Sequence, residues 1–181
     1  LELMANHRGS LLGAEKNSQP SQKLFESKIF KQILNFNKNE PIIIEAESNK
    51  IGNLTIPPSL WSKMKLSNRI EIKAKKNHRV EYLKERYSDL TNNVDSLIKK
   101  LSKFKNIQNN KNINVWIKMA EEKKFNDLAL DLIEIHYDPR YQNNLNKNSH
   151  LFLKSFSVNP QKKVDMENVS EEISLFIKST I

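Results

Sequence analysis

The 181-residue sequence predicts an α/β protein, a helix-covered parallel sheet with a helical extension toward the C-terminus. Three observations carry this. An unbroken apolar run, Ile42-Ile43-Ile44, follows an amphipathic helical pattern, the order of a buried strand in a parallel sheet. Residues Arg69 to Ala74 alternate apolar and charged, as in a strand with one solvated face. Beyond Asn77 the apolar spacing changes to three and four, which is helical.

Taken in order, residues 1–18 start at a strand end and run through a polar loop. Pro20 and Ser21 suit a helix start, because proline costs nothing in a first turn. From Gln22 to Phe36 the residues Phe25, Ile29 and Ile33 recur every four positions, with Leu24 and Leu34 beside them, so this helix packs on the sheet. Asn37 to Glu40 turn into a strand at 41–46. Leu54 to Ile56 form a short extended piece, and Pro57-Pro58 opens a brief helix with Leu60, Trp61 and Met64 inward. Ile70, Ile72 and Ala74 are expected on the covered face of the next strand. The seam Val80, Leu83, Tyr87, Leu90, Val94, Leu97 and Leu101 predicts one long helix of about six turns. Residues 102–112 read as a polar, basic loop. A helical pair follows, ended by Pro139, then an Asn-rich loop at 142–149, a strand over 151–158 and a final helix carrying Val169, Ile173, Phe176 and Ile177. The domain reading is an α/β part over 1–76, a helical region over 77–145, and a strand and helix over 146–181 returning to the sheet.

The residues able to do chemistry concentrate before Gly52. Asn6, His7 and Arg8 offer donors to phosphate or carboxylate, and Gly9 beside Ser10 lets backbone approach closely. The competing account is a turn with Arg8 in a structural ion pair. Glu45 and Glu47 fall on one face of the expected strand, at the end where open α/β sheets bind ligands, as a general base or magnesium-associated carboxylates. Equally, either neutralises Arg8. Gln19 and Gln22 could read a base or sugar, or cap a helix with Ser21. Arg79 stands where phosphoryl-transfer folds place a lid arginine, or in a helix-start salt bridge. His136, Tyr137 and Asp138, with Tyr141, could hold and stack on a base, or close a helix C-terminus. Lys99, Lys100, Lys103 and Lys105 form a basic run beside Phe104, fit to grip RNA phosphates or simply to solvate a helix end.

These residues also carry a resemblance. LELMANHRGS is similar to the DLEGLANHRGS segment of the tRNA 2-selenouridine synthase family. The order continues through QPSQ with Phe25-Glu26, PIIIEAES with Ile51-Gly52, Ile56-Pro57, Arg79-Val80 and His136-Tyr137-Asp138-Pro139-Arg140-Tyr141. It covers roughly residues 1–145. It implies an incomplete P-loop NTPase-like parallel sheet, because in the family a rhodanese-like domain with a reactive cysteine and then a Walker-type phosphate loop come first. It implies replacement of sulfur by selenium in wobble 2-thiouridine of tRNA, with selenophosphate and geranyl diphosphate as donors. Asn6 to Ser10, Gln19, Ser21, Gln22, Ser48, Gly52 and Arg79 then become phosphate- or substrate-binding, Glu45 and Glu47 catalytic. His136, Tyr137, Asp138, Tyr141 and the four lysines become tRNA-binding. Activity of the chain alone is not expected; a truncated product, a remnant, or a piece needing a separate rhodanese/P-loop chain would each fit.

Thirty basic against 21 acidic residues give a formal charge of +9, which favours a polyanionic partner, nucleic acid first; a Lys- and Asn-rich surface from an AT-rich genome is the plainer explanation. The absence of cysteine excludes disulfides, zinc-thiolate sites and a cysteine nucleophile within these residues. His7, His78, His136 and His150 show no metal spacing, so no metal site is expected. No apolar run approaches the ~18 residues of a membrane helix, and a cytoplasmic protein with no membrane contact is expected. No intrinsic cofactor is expected; nucleotide and magnesium use stay open. The alternatives are a non-catalytic tRNA-binding or partner-docking module, and a P-loop nucleotide kinase relative, which the missing G-x-x-x-x-G-K-S/T disfavours.

Overall fold

The computed structural model describes residues 1–45, 48–147 and 151–180, and the side chains of these except 144–147. The chain divides into two compact units, Leu1–Ser67 and Asn68–Ile181.

The first unit is held by one small core. Helix α1 (Glu2–Ala5) and helix α2 (Gln22–Leu34) pack against a two-residue hairpin, β1 (Lys50–Ile51) and β2 (Leu54–Thr55), followed by α3 (Pro58–Leu66). Ser21 caps α2 by accepting from the Leu24 N–H at 3.2 Å. Phe25 and Ile29 then enter a cluster with Ala5, Ile51, Leu54 and Ile56, closed by Leu60, Trp61 and Met64 of α3. The remaining apolar positions of α2 do not follow them. Phe30 and Leu34 are 64% and 67% exposed, and Ile33 also faces outward.

The expected buried strand at 41–46 is absent over residues 41–45, and Ile43 is 63% exposed. A strand exists only beside another strand, and none of the described residues pairs with this run. Residue 46 lies outside the described residues.

The second unit contains the one parallel pairing among the described residues. Strand β3 (Arg69–Lys73) runs beside β4 (Phe152–Ser157), with Glu71 opposite Ser155 and Ile72 opposite Phe156. Helix α10 (Lys163–Thr180) covers Phe156 with Val169, Ile173 and Ile177, at the spacing the sequence predicts. The predicted covered face of β3 holds only in part: Ile70 packs against this cluster, but Ile72 is 57% exposed, and Glu71 is only 7% exposed because it is paired in place. Its carboxylate accepts from Ser155 Oγ and meets Lys73 Nζ, both at 3.0 Å.

Between β3 and β4 the chain is helical. The single long helix expected over 80–101 is three: α4 (Lys76–Arg86), α5 (Ser88–Thr91) and α6 (Val94–Leu101). Ser88 and the Asn92-Asn93 pair explain the breaks, since such side chains compete for backbone bonds inside a helix and suit its ends. Asn93 caps α6 by accepting from the Ser96 N–H at 3.0 Å. The expected loop at 102–112 is instead a 3₁₀ turn (Ser102–Asn106) leading to α7 (Asn110–Glu121). Phe104 pulls that turn inward; it is fully buried against Trp116, ring centroids 5.5 Å apart.

Helix α8 (Phe125–Asp131) passes through a π-helical turn (Leu132–Tyr137) directly into α9 (Asp138–Lys147). Pro139 therefore opens a helix where a stop was expected, and residues 142–147 are helix where a loop was expected. Because the helix runs on through this point, Pro139 removes one helical N–H donor, and the helix continues past it.

Candidate functional site

The residues singled out before Gly52 gather into a knot of hydrogen bonds around the loop after α1. Asn6 adopts a left-handed conformation, φ 49°, and its side-chain amide donates to the carbonyls of Asn17 and Ser18 at 2.9 and 3.3 Å. His7 bridges to Ala14, and the Arg8 N–H donates to the Gly13 carbonyl at 2.9 Å, closing a tight loop over 8–13. Gly9 needs both its φ of +74° and its missing side chain: a Cβ there would meet the Glu2 carboxylate at 1.9 Å. Its N–H donates to His7 Nδ1 at 3.1 Å.

Arg8 is buried and finds its partner seven residues on. Its guanidinium donates to both carboxylate oxygens of Glu15, at 3.0 and 3.1 Å, a bidentate pair. Sequence reading offered Glu45 or Glu47 for this role and missed Glu15; a lone carboxylate in the same polar loop was the available signal. Glu45 instead accepts from the Glu2 N–H at 2.9 Å. Glu47 lies outside the described residues.

The two glutamines tie helices to the hairpin. Gln19 donates to the carbonyls of Ala5 and Ile51 at 3.2 and 2.8 Å and accepts from the Asn53 N–H at 2.8 Å. Gln22 donates to the Thr55 carbonyl and accepts from its N–H, at 2.8 and 3.0 Å, imitating a neighbouring strand. Ser48 accepts from the Lys50 N–H at 3.1 Å. Gly52, φ +60°, sits against the His7 ring and the Gln19 amide. Asn6 to Gly9, Gln19 and Gly52 thus come together, while Ser21 and Gln22 act at the start of α2.

In the second unit another group of candidates meets. Arg79, in the first turn of α4, grips Asp138, the first residue of α9. His136 is 2% exposed, its ring edge-on to Phe104 and Tyr137 at 4.8 Å each, with Gln108 Nε2 3.3 Å from Nδ1. Burial, then the nearby Arg140 charge, push its pKa down to about 4, so it is a neutral ring at pH 7. Tyr141 is half-buried on α9. Lys99, Lys103 and Lys105 are exposed and Lys100 partly so. Among the described residues no group of three or more His, Asp or Glu could hold a metal ion. Among the described residues no helix is long and apolar enough to cross a membrane.

With this geometry in view, comparison with known proteins places the sequence. Residues 1–110 match the family described as tRNA 2-selenouridine synthase AAA domain, which takes in the whole knot and Arg79. The chain belongs to this family. It is 36% identical over 89 residues to the tRNA 2-selenouridine synthase of Alcanivorax borkumensis, covering 48% of this chain and 25% of that protein. It is 32% identical over 84 residues to that of Nitrosomonas eutropha (45% and 22%) and 30% over 89 residues to that of Hydrogenovibrio crunogenus (48% and 25%). The match therefore spans about a quarter of these relatives' length. No solved structure matches. The described residues form a mixed α/β chain, mostly helical, with a small parallel sheet.

Proposed function

We propose that this chain serves in a tRNA 2-selenouridine synthase-like reaction, in which selenium from selenophosphate replaces sulfur in wobble 2-thiouridine and that sulfur is geranylated on the way. The observation that supports it is the family match over residues 1–110, because that match takes in the whole knot around Arg8. Selenophosphate and geranyl diphosphate both carry phosphate, which a guanidinium recognises through paired hydrogen bonds. Arg8 would take such a group by exchanging its partner Glu15, whose side chain is 29% exposed, while Arg8 is held by the loop. The work of the knot is positioning and charge stabilisation of a phosphate leaving group.

These 181 residues hold no cysteine and no phosphate-loop motif, so the chain is assigned a contributing role beside a rhodanese/P-loop part, and no turnover alone. Mass spectrometry of nucleosides tests this, with 2-thiouridine tRNA, selenophosphate and geranyl diphosphate. The expected result is no modified nucleoside from the isolated chain; selenated or geranylated uridine would overturn it. A tRNA titration with Arg8→Ala and with geranyl diphosphate as competitor tests the donor site, and binding indifferent to both would remove it.

A second reading is a non-catalytic tRNA-binding or partner-docking module on the same scaffold. It is favoured by the outward side chains of Phe30 and Leu34, one turn apart on α2.

A further inference from the structure

The most one-sided charge in the molecule lies in the second unit, where α6, the 3₁₀ turn and α7 meet. From Lys99 to Ala120 the sequence holds six lysines and no acidic residue. Lys99, Lys103, Lys105 and Lys111 are exposed on this corner. Lys111 and Lys118 stand seven residues apart, on one face of α7, the face opposite buried Ile113, Trp116 and Ala120. Lys118 touches Glu122 only at 3.8 Å, at the far end of the run.

The corner is also rigid. Lys103 and Lys105 flank Phe104, which is locked between the Trp116 and His136 rings. Trp116 is fixed in turn by donating from Nε1 to Asp131 at 2.7 Å. Two cations are therefore carried on a short turn pinned to the core, so the backbone there loses little conformational freedom on meeting an anion.

The aromatic residues decide which anion. Proteins that hold single-stranded nucleic acid combine cations with exposed rings on which bases stack. The two aromatic residues between Lys99 and Ala120, Phe104 and Trp116, are both fully buried. What the surface offers is ammonium groups and the amides of exposed Asn106, Asn110 and Asn114. Such groups meet phosphates and ribose hydroxyls, which a double-helical stem displays and which need no stacking.

Resting on the RNA reading above, we infer that this corner docks on the sugar–phosphate backbone of a double-helical RNA stem, by shape and charge and not by base sequence. The wobble nucleotide of a loop would then be handled elsewhere in the protein.

The test is a fluorescence titration of the 181-residue chain with three probes: a tRNA transcript, an unrelated RNA duplex and oligouridine. The duplex is expected to bind within about threefold of the tRNA and oligouridine about tenfold more weakly. Between about 50 and about 200 mM salt the affinity falls steeply, and Lys103→Glu with Lys105→Glu lowers the log–log slope by about 2. Lys111→Glu with Lys118→Glu acts alike. Lys162→Glu with Lys163→Glu, at the start of α10, leaves binding unchanged. Oligouridine bound as tightly as duplex would overturn the inference, as would tRNA binding indifferent to the lysine reversals; in the latter case the RNA reading survives. No tRNA binding by the wild-type chain at low salt would overturn both.

Discussion

Arg79 and Asp138 stand 59 positions apart in the sequence and meet through two parallel hydrogen bonds, of 3.1 and 2.6 Å. The pair ties the first turn of α4 to the start of α9. Both side chains are about a third exposed, so water weakens the attraction. Arg79→Ala is expected to cost about 1 kcal/mol, and a double-mutant cycle with Asp138→Ala to recover most of it as coupling. Urea unfolding measures this. Because the pair is structural, duplex RNA affinity should stay within twofold or so; a large loss of affinity without a loss of stability would make Arg79 a ligand-binding residue.

Gly52 is a sharper test of the knot. An alanine there would place its Cβ 2.3 Å from Gln19 Oε1 and 2.7 Å from the His7 ring, with φ at +60°. Both neighbours are hydrogen-bonded or buried, so neither moves freely. Gly52→Ala is expected to destabilise the first unit by about 2 kcal/mol or more. Hydrogen exchange should speed up across residues 5–19 and 50–56 while β3 and β4 keep their protection. Uniform loss of protection in both units would show that they unfold together.

Helix periodicity made α2, α7 and α10 legible, because each buries one stripe on a nearby partner: Phe25 and Ile29, Ile113 and Trp116, Val169 and Ile173. The long seam over 80–101 misled because its spacing continues across Ser88 and Asn93, and spacing does not show a side chain capturing a backbone N–H. Ile42 to Ile44 have strand character, but pairing is a relation between two segments and one segment cannot reveal it. For the knot, Gly9 and Gly52 were readable as special, whereas the choice of Glu15 over Glu45 for Arg8 depends on a loop closure that local sequence does not encode.

The indole of Trp116 gives a third prediction. Its Nε1 donates to Asp131 at 2.7 Å, a bond from a fully buried ring to a partly buried carboxylate. Trp116→Phe keeps the apolar contact with Phe104 but leaves Asp131 without this donor and opens space beside it. The expected cost is about 2 kcal/mol by urea unfolding. Trp116→Phe combined with Asp131→Leu should recover part of that loss, since both polar partners are then gone; no recovery would show the cost to be packing alone.

His136 sets the pH dependence of the second unit. In the folded chain its pKa is about 4, lowered first by burial and then by Arg140, against an ordinary value of 6.5. Between those values the unfolded chain binds the proton and the folded chain does not, so stability rises with pH across that window. The stabilisation is complete above about pH 6.5 and is lost progressively as pH falls toward 4, by up to about 3 kcal/mol. Charged His136 would also push apart from Arg140 and lose its edge-on seat against Phe104, loosening the turn that carries Lys103 and Lys105. His136→Gln, which retains an amide for Gln108, is expected to flatten the slope. Comparing urea midpoints of the two proteins at about pH 4.5 and pH 7.5 decides it: parallel loss of stability in both would assign the acid sensitivity to the carboxylates instead.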